Sequence, residues 1–274
     1  MLSVQLGPFA IPTNLALLYL GLICAWLLGW FIGRKRGANP EAALFHMLIS
    51  GFIAARIAFV IRYWQLYGFD PLAIIDIRDG GFIPLAGILV ALTVAAYYLW
   101  RKAELRIPLA SGLTLGIIIS GLGFALLQAL LDSQKLPDMA MRDIQGHSVE
   151  LHSYIGKPIV INLWATWCPP CRREMPVLEA AQQQNPDIHF VFINQGEGQQ
   201  LIEEYFTKQQ LSLDNVLLDT GARMGQSVSS LSLPTTLFYD AEGLLQNNHL
   251  GELSNASLKH ALRTINTQPE KESQ

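Results

Sequence analysis

The sequence predicts an α-helical membrane domain of four transmembrane helices, followed by a soluble α/β domain. Three observations carry that expectation. Of the 274 residues, 51% are hydrophobic and only 15% are charged, against roughly a quarter charged in average globular chains. Mean hydropathy is +0.29. The charge is also split: residues 1–133 hold nine Lys/Arg and six Asp/Glu, whereas residues 134–274 hold ten and sixteen. The first half is therefore apolar with basic clusters, and the second has the balance of an ordinary acidic soluble domain. The same figures exclude intrinsic disorder and give no reason to expect nucleic acid as a partner. Three cysteines, Cys24, Cys168 and Cys171, are too few for a disulfide-stapled scaffold. The expected organisation is a membrane domain over 1–133, an α/β domain over 134–266 and a disordered polar tail over 267–274.

Four segments have the composition of spans: Leu15 to Gly33, Ala42 to Ile61, Gly80 to Trp100 and Ile107 to Leu131. About 20 apolar residues of helix cross the ~30 Å hydrocarbon layer. Arg34-Lys35-Arg36 follows the first segment, and Arg101, Lys102 and Arg106 separate the third from the fourth. Basic loops stay on the cytoplasmic side. This places the N-terminus, the middle loop and the whole α/β domain on the opposite side. Tyr63, Trp64 and Tyr67 are expected in an interfacial aromatic belt. A cleaved signal peptide would carry its basic residues before the apolar run, not after it.

From residue 139 the pattern turns α/β. Met139 to Arg142 and Val149 to Leu151 flank Asp143-Ile144-Gln145-Gly146 as a hairpin. Pro158 to Trp164 is a continuous apolar run, as in a buried strand. A helix is expected from Pro169 to Gln184, a strand over Ile188 to Asn194 and an amphipathic helix over Gln199 to Gln209. A short strand Val216 to Leu218, a hairpin of Thr235 to Tyr239 with Leu244 to Leu250, and a closing helix Ser254 to Ile265 complete the domain.

The chemistry lies in Trp167-Cys168-Pro169-Pro170-Cys171, at a strand-to-helix junction. Two cysteines three apart at a helix start can close a small disulfide. The first faces unpaired backbone N–H groups and the positive end of the helix dipole, which favour a thiolate. Pro169 and Pro170 fall where a missing N–H costs little. Cys168 is then the exposed nucleophile toward a partner disulfide, and Cys171, one turn inside, resolves the mixed disulfide. The bland alternatives are a structural disulfide or half a zinc site, and no second cysteine pair completes the latter. Pro234 directly precedes a predicted strand; it reads either as an ordinary strand-start proline or as a cis-proline beside the cysteines.

The run Val160-Ile161-Asn162-Leu163-Trp164-Ala165-Thr166-Trp167-Cys168-Pro169-Pro170-Cys171-Arg172-Arg173-Glu174-Met175-Pro176, with Leu233-Pro234-Thr235-Thr236 and Asp240-Ala241-Glu242-Gly243 later, resembles the TlpA/ResA-type thioredoxin-like disulfide reductases. The resemblance covers roughly 136–266. It implies a thioredoxin fold, a redox-active disulfide Cys168–Cys171 with no other cofactor, and a cis Pro234. It also implies a partner segment bound by Trp167, Pro169, Pro170, Leu233 and Pro234. Thioredoxin itself has a buried Asp where this chain has Asn162, which cannot take a proton. The resemblance instead makes Glu197, in Asn194-Gln195-Gly196-Glu197, the candidate proton acceptor near Cys171. The resemblance also implies a domain tethered to the outer face of a bacterial cytoplasmic membrane, as is usual in this family.

The membrane half resembles the first four helices of prolipoprotein diacylglyceryl transferase, through Gly51-Phe52-Ile53-Ala54-Ala55-Arg56 and Arg78-Asp79-Gly80-Gly81-Phe82-Ile83. Where that family has its functional His and Arg, this chain has Leu85-Ala86-Gly87 and Gly121. The resemblance therefore implies an inherited scaffold without the transferase activity. Arg56 is expected either to hold a lipid phosphate or to snorkel toward the near interface. Cys24, alone in the membrane, cannot form a relay pair within this chain, so a separate membrane electron donor is expected. The function implied is reduction of disulfides in periplasmic partner proteins by a multi-pass inner-membrane protein. The rivals are a lipid-modifying transferase-like protein with an accessory thioredoxin domain, and a disulfide oxidase.

Overall fold

The computed structural model describes residues 3–6, 9–68, 70–131, 134–230 and 232–266. The expected tail over 267–274, and Asp132 and Ser133 at the expected boundary, lie outside them. The chain divides into two compact units. One holds Ile11–Ile77 and Gly81–Gln128; the other holds Ala129–Gln274 together with Met1–Ala10 and Arg78–Gly80.

In the first unit, helices α1 (Thr13–Arg36), α2 (Glu41–Arg62), α5 (Pro84–Arg101) and α6 (Arg106–Leu131) are each long and apolar. All four segments are long and apolar enough to cross a membrane, and this is a membrane protein. Burial runs opposite to that of a soluble bundle. Along α1 the small residues Gly21, Ala25, Gly29 and Gly33 are buried, while Leu18, Ile23, Leu27 and Phe31 are exposed. Small residues let helix backbones approach where lipid surrounds the bundle. One such case is α2 against α5: a Cβ on Gly87 would lie 2.7 Å from the Gly51 carbonyl oxygen.

Several details add to or differ from the sequence expectation. The third long helix starts at Pro84, not Gly80, because proline is suited to the first helical position and poorly suited to the second turn. Two short helices, α3 (Trp64–Tyr67) and α4 (Pro71–Ile75), fill the loop before it. Of the aromatic residues expected at the interface, Tyr63 and Tyr67 are buried and Trp64 is exposed; both tyrosines pack on Phe59, with ring centroids 4.8 and 6.5 Å away. Near the N-terminus, β1 (Ser3–Leu6) and β2 (Phe9–Pro12) pair in a two-stranded sheet that the apolar composition did not announce.

The second unit is a seven-stranded mixed sheet in the order β4-β3-β7-β6-β5-β8-β9. Its strands are β3 (Ala140–Asp143), β4 (Ser148–Glu150), β5 (Ile159–Trp164), β6 (His189–Gln195), β7 (Val216–Asp219), β8 (Thr235–Tyr239) and β9 (Leu245–Leu250). The helices are α7 (Pro169–Gln184), α8 (Gln199–Gln209), α9 (Arg223–Ser227) and α10 (Asn255–Asn266). Central β5 is parallel to β6 and antiparallel to β8. This is the thioredoxin-like arrangement. Every residue of β5 is buried, which explains its unbroken apolar run. Its residues alternate between two cores. Ile159, Ile161 and Leu163 join one; Val160 and Trp164 join the other, with Met175 and Leu178 of α7. Asn162 therefore points to the α7 side.

Candidate active site

β5 ends at Trp164, and the chain turns through Ala165-Thr166-Trp167 into α7. The Cys168 N–H donates to the Ala165 carbonyl at 3.2 Å, closing that turn. Cys168 is the N-cap of α7, in extended conformation, with Pro169 and Pro170 in the first turn. Cys168 and Cys171 are joined by a disulfide, S–S 2.04 Å. The Cys171 N–H donates to Cys168 Sγ at 3.3 Å. The sulfur thus takes the place of an N-cap oxygen, where backbone donors and the helix dipole favour negative charge. One expectation is corrected. Cys168 is only 3% exposed, whereas Trp167 is 67% exposed, because the sulfur folds inward over its own helix end.

Sheet register gathers the other predicted residues. Leu163 pairs with Thr235, and Trp164 with Asn194. Pro234, just before Thr235, and Glu197, just after the end of β6, therefore lie at the same end of the central strands as the cysteines. The Leu233–Pro234 bond is cis. Pro234 is buried and Leu233 half-buried, while Pro169 is exposed. Trp167, Pro169 and Leu233 leave surface at this end; Pro170 is half-buried. Glu197 is 9% exposed. It accepts from the Thr166 N–H and from Asn194 Nδ2, both at 2.7 Å, and from the Thr166 hydroxyl.

Glu174 carries no role in the sequence pattern. It is fully buried, one turn beyond Cys171 on the same helix face. Its Oε1 accepts from Asn162 Nδ2 at 2.8 Å, and its Oε2 from the Leu253 N–H at 2.9 Å. Burial pushes its carboxyl up to about 8, against the pull of these two donors. The available signal was the three-residue spacing from Cys171 on a helix whose face is otherwise apolar. One of its partners is the Leu253 backbone, 79 residues away, which no local pattern shows.

In the membrane half, Arg56 is 7% exposed. Its guanidinium donates to the carbonyls of Ile74 (3.1 Å), Gly81 (2.9 Å), Ala73 (3.2 Å) and Asp76 (2.5 Å). It sits 5.4–5.9 Å from the ring centroids of Phe59, Tyr67 and Phe82. The Arg56 guanidinium is thus taken up by carbonyls of the segment between α2 and α5 and presents no open phosphate site. Three of these carbonyls, of Ala73, Ile74 and Asp76, lie at the C-terminal end of α4, where helix carbonyls lack an intrahelical partner. Cys24 is a free cysteine, half-buried.

A CxxC disulfide capping the helix after a central strand, beside a cis-proline before the antiparallel neighbour, defines a thioredoxin-like domain; here it is joined to a four-helix membrane part. Comparison with known proteins finds both halves. Residues 133–248 match the AhpC/TSA family model, and residues 2–127 match the prolipoprotein diacylglyceryl transferase model. The chain is similar to the thioredoxin-like protein YneN of Bacillus subtilis, 28% identical over 137 residues, 48% of this chain and 78% of that protein. It is also similar to the thiol-disulfide oxidoreductase ResA of Halalkalibacterium halodurans, 25% identical over 130 residues, 47% of this chain and 73% of that protein. ResA of Geobacillus thermodenitrificans is 28% identical over 131 residues, 47% and 75% of the two chains. Among solved structures, StoA from Bacillus subtilis superposes with a TM-score of 0.40 at 21% identity, over 45% of this chain and 95% of that one.

Proposed function

We propose that this protein is a membrane-anchored thiol–disulfide oxidoreductase that reduces disulfides of partner proteins outside the cytoplasm. The observation that carries the reading is the Cys168–Cys171 disulfide at the start of α7, with Cys168 Sγ accepting the Cys171 N–H. The names of the ResA relatives support the same chemistry.

The cycle is written for the reduced pair. The Cys168 thiolate attacks one sulfur of a partner disulfide. A Cys168–partner S–S bond forms, and the other partner sulfur leaves as a thiolate that takes a proton from water. Cys171 passes its proton to the Glu174 carboxylate and attacks Cys168 Sγ. The Cys168–Cys171 bond forms, and the second partner sulfur leaves and is protonated. The partner gains two electrons, and the cysteine pair is oxidised by two. A carboxyl at about 8 suits this transfer, because a base works best when its pKa lies near the operating pH. Trp167, Pro169, Pro170, Leu233 and Pro234 bind the partner segment. A dithiol carrier in the same membrane returns the two electrons; dithiothreitol stands in for it in the test tube. The basic loops set the orientation, with the thioredoxin-like domain on the periplasmic side of the inner membrane.

The test is trapping. Full-length protein with Cys171→Ser is expected to accumulate a mixed disulfide through Cys168, and Cys168→Ser to accumulate none. Equal trapping by both would sink the assignment. The reduction potential then sets direction: a value near −270 mV, as in thioredoxin, supports a reductase, and one near −120 mV an oxidase.

A further inference from the structure

Glu197 stands out because its hydrogen bonds lead to the loop before the cysteines. Both oxygens are occupied: Oε2 by the Thr166 N–H and Asn194 Nδ2, Oε1 by the Thr166 hydroxyl. Its own N–H donates to Asn194 Oδ1 at 3.3 Å. Asn194 is fully buried at the end of β6, so the carboxylate is anchored to the sheet. Gly196 lets the chain turn between them: it has φ +84, and its N–H donates to the Asp219 carbonyl at 2.9 Å.

What the carboxylate holds is short and exposed. Thr166 is half-buried and Trp167 exposed, and the next residue is Cys168. Among the described residues, the Thr166 N–H and hydroxyl both donate to this one carboxylate, and the Cys168 N–H closes the turn behind them. Charge-assisted hydrogen bonds of this kind are stronger than neutral ones. A carboxylate that chelates both donors of one residue fixes its φ/ψ and χ1 together.

We propose that Glu197 is a positioning residue that sets partner recognition: it locks the Ala165–Trp167 loop so that the Trp167 ring forms a fixed platform beside Cys168 for a polypeptide disulfide. This rests on the exchange reading above and assigns Glu197 a task other than proton transfer. The sulfur chemistry stays with the N-terminus of α7 and with Glu174. A small disulfide has no chain to lay on Trp167, so it does not use the platform; a protein disulfide does.

The experiment compares two oxidants against the reduced full-length protein in detergent, over a range of pH. One is the small aromatic disulfide dithiodipyridine; the other is insulin. Glu197→Ala is expected to slow the reaction with insulin about tenfold, the equivalent of ~1.4 kcal/mol of lost docking. It is expected to leave the dithiodipyridine rate and its pH profile as they were. Glu197→Gln, which keeps an acceptor for the Thr166 N–H, should recover most of the insulin rate. Thr166→Val removes the hydroxyl alone and should give a smaller loss of the same kind; it also serves if Glu197→Ala does not fold. Equal slowing of both oxidants with a displaced pH profile would make Glu197 a proton-transfer group and overturn the proposal. Unchanged rates with both would overturn it as well. If the parent protein reacts with neither oxidant, the exchange reading fails instead.

Discussion

Asn162 Nδ2 donates to Glu174 Oε1 at 2.8 Å, with both side chains sealed inside the core, 1% and 0% exposed. A neutral amide thus faces a carboxyl that burial has pushed up to about 8. The charge of Glu174 changes across the working pH range, while its partner's does not. Thr236 Oγ1 accepts the second Nδ2 proton at 3.0 Å, fixing the amide from the far side.

Glu174 makes stability fall with rising pH. In the unfolded chain its carboxyl returns to the ordinary value of 4.5. The folded state therefore holds the proton longer. Below that value both states are protonated and Glu174 costs nothing. The penalty grows as pH rises and is complete above about 8. Glu174→Gln should remove this dependence and be the more stable form at alkaline pH. Urea titrations of the full-length protein in detergent, followed by tryptophan fluorescence, would show it; parallel curves for both proteins would refute it.

Asn162→Leu removes the side-chain donor that favours the carboxylate. Hydrogen bonds to charged groups contribute about 1.5–3 kcal/mol, so the Glu174 titration should move up by roughly one to two pH units. The pH–rate profile of disulfide exchange should move with it. An unmoved profile would mean that Glu174 does not govern the rate.

Gly87→Leu should separate α2 from α5, since its Cβ has only 2.7 Å to the Gly51 carbonyl. A lower melting temperature in detergent is the expected result. Gly121→Leu is the matched control, because nothing lies within 4 Å of a Cβ there. If both variants melt alike, close approach is not what Gly87 provides.

Arg56→Met should leave the carbonyls of Ala73, Ile74, Asp76 and Gly81 without their shared donor. Only the Gly81 contact is fully buried; losing the partner of a buried polar group costs about 1–3 kcal/mol, and the three part-buried carbonyls lose less. Limited proteolysis should then cut faster between Gly68 and Gly80. Arg56→Lys should rescue little, because one ammonium cannot span four carbonyls in a fork. Wild-type proteolysis in both variants would rule out this bracing role.

Most of this protein is legible in its sequence, for local reasons. Helix α7 begins at Pro169 and ends at Gln184, and α8 runs from Gln199 to Gln209, as the cap and periodicity predict. The four apolar segments are helices because composition and length suffice to specify a span. The cysteine pair announced itself by its spacing at a strand–helix junction. Tertiary structure decided the rest. Glu174 and Glu197 are both acidic residues near a helix start, and the spacing of Glu174 from Cys171 places it on the buried face of α7 without showing what surrounds it. Only packing against β5 and the Leu253 backbone buries Glu174 and raises its carboxyl, and only the turn after β6 aims Glu197 at Thr166. Arg56 is likewise one charge in an apolar run until the loop folds over it and supplies four carbonyls. Periodicity and capping act within a few residues, so sequence displays them. Desolvation and hydrogen-bond partners come from residues far apart in the chain, and they exist only once the chain has folded.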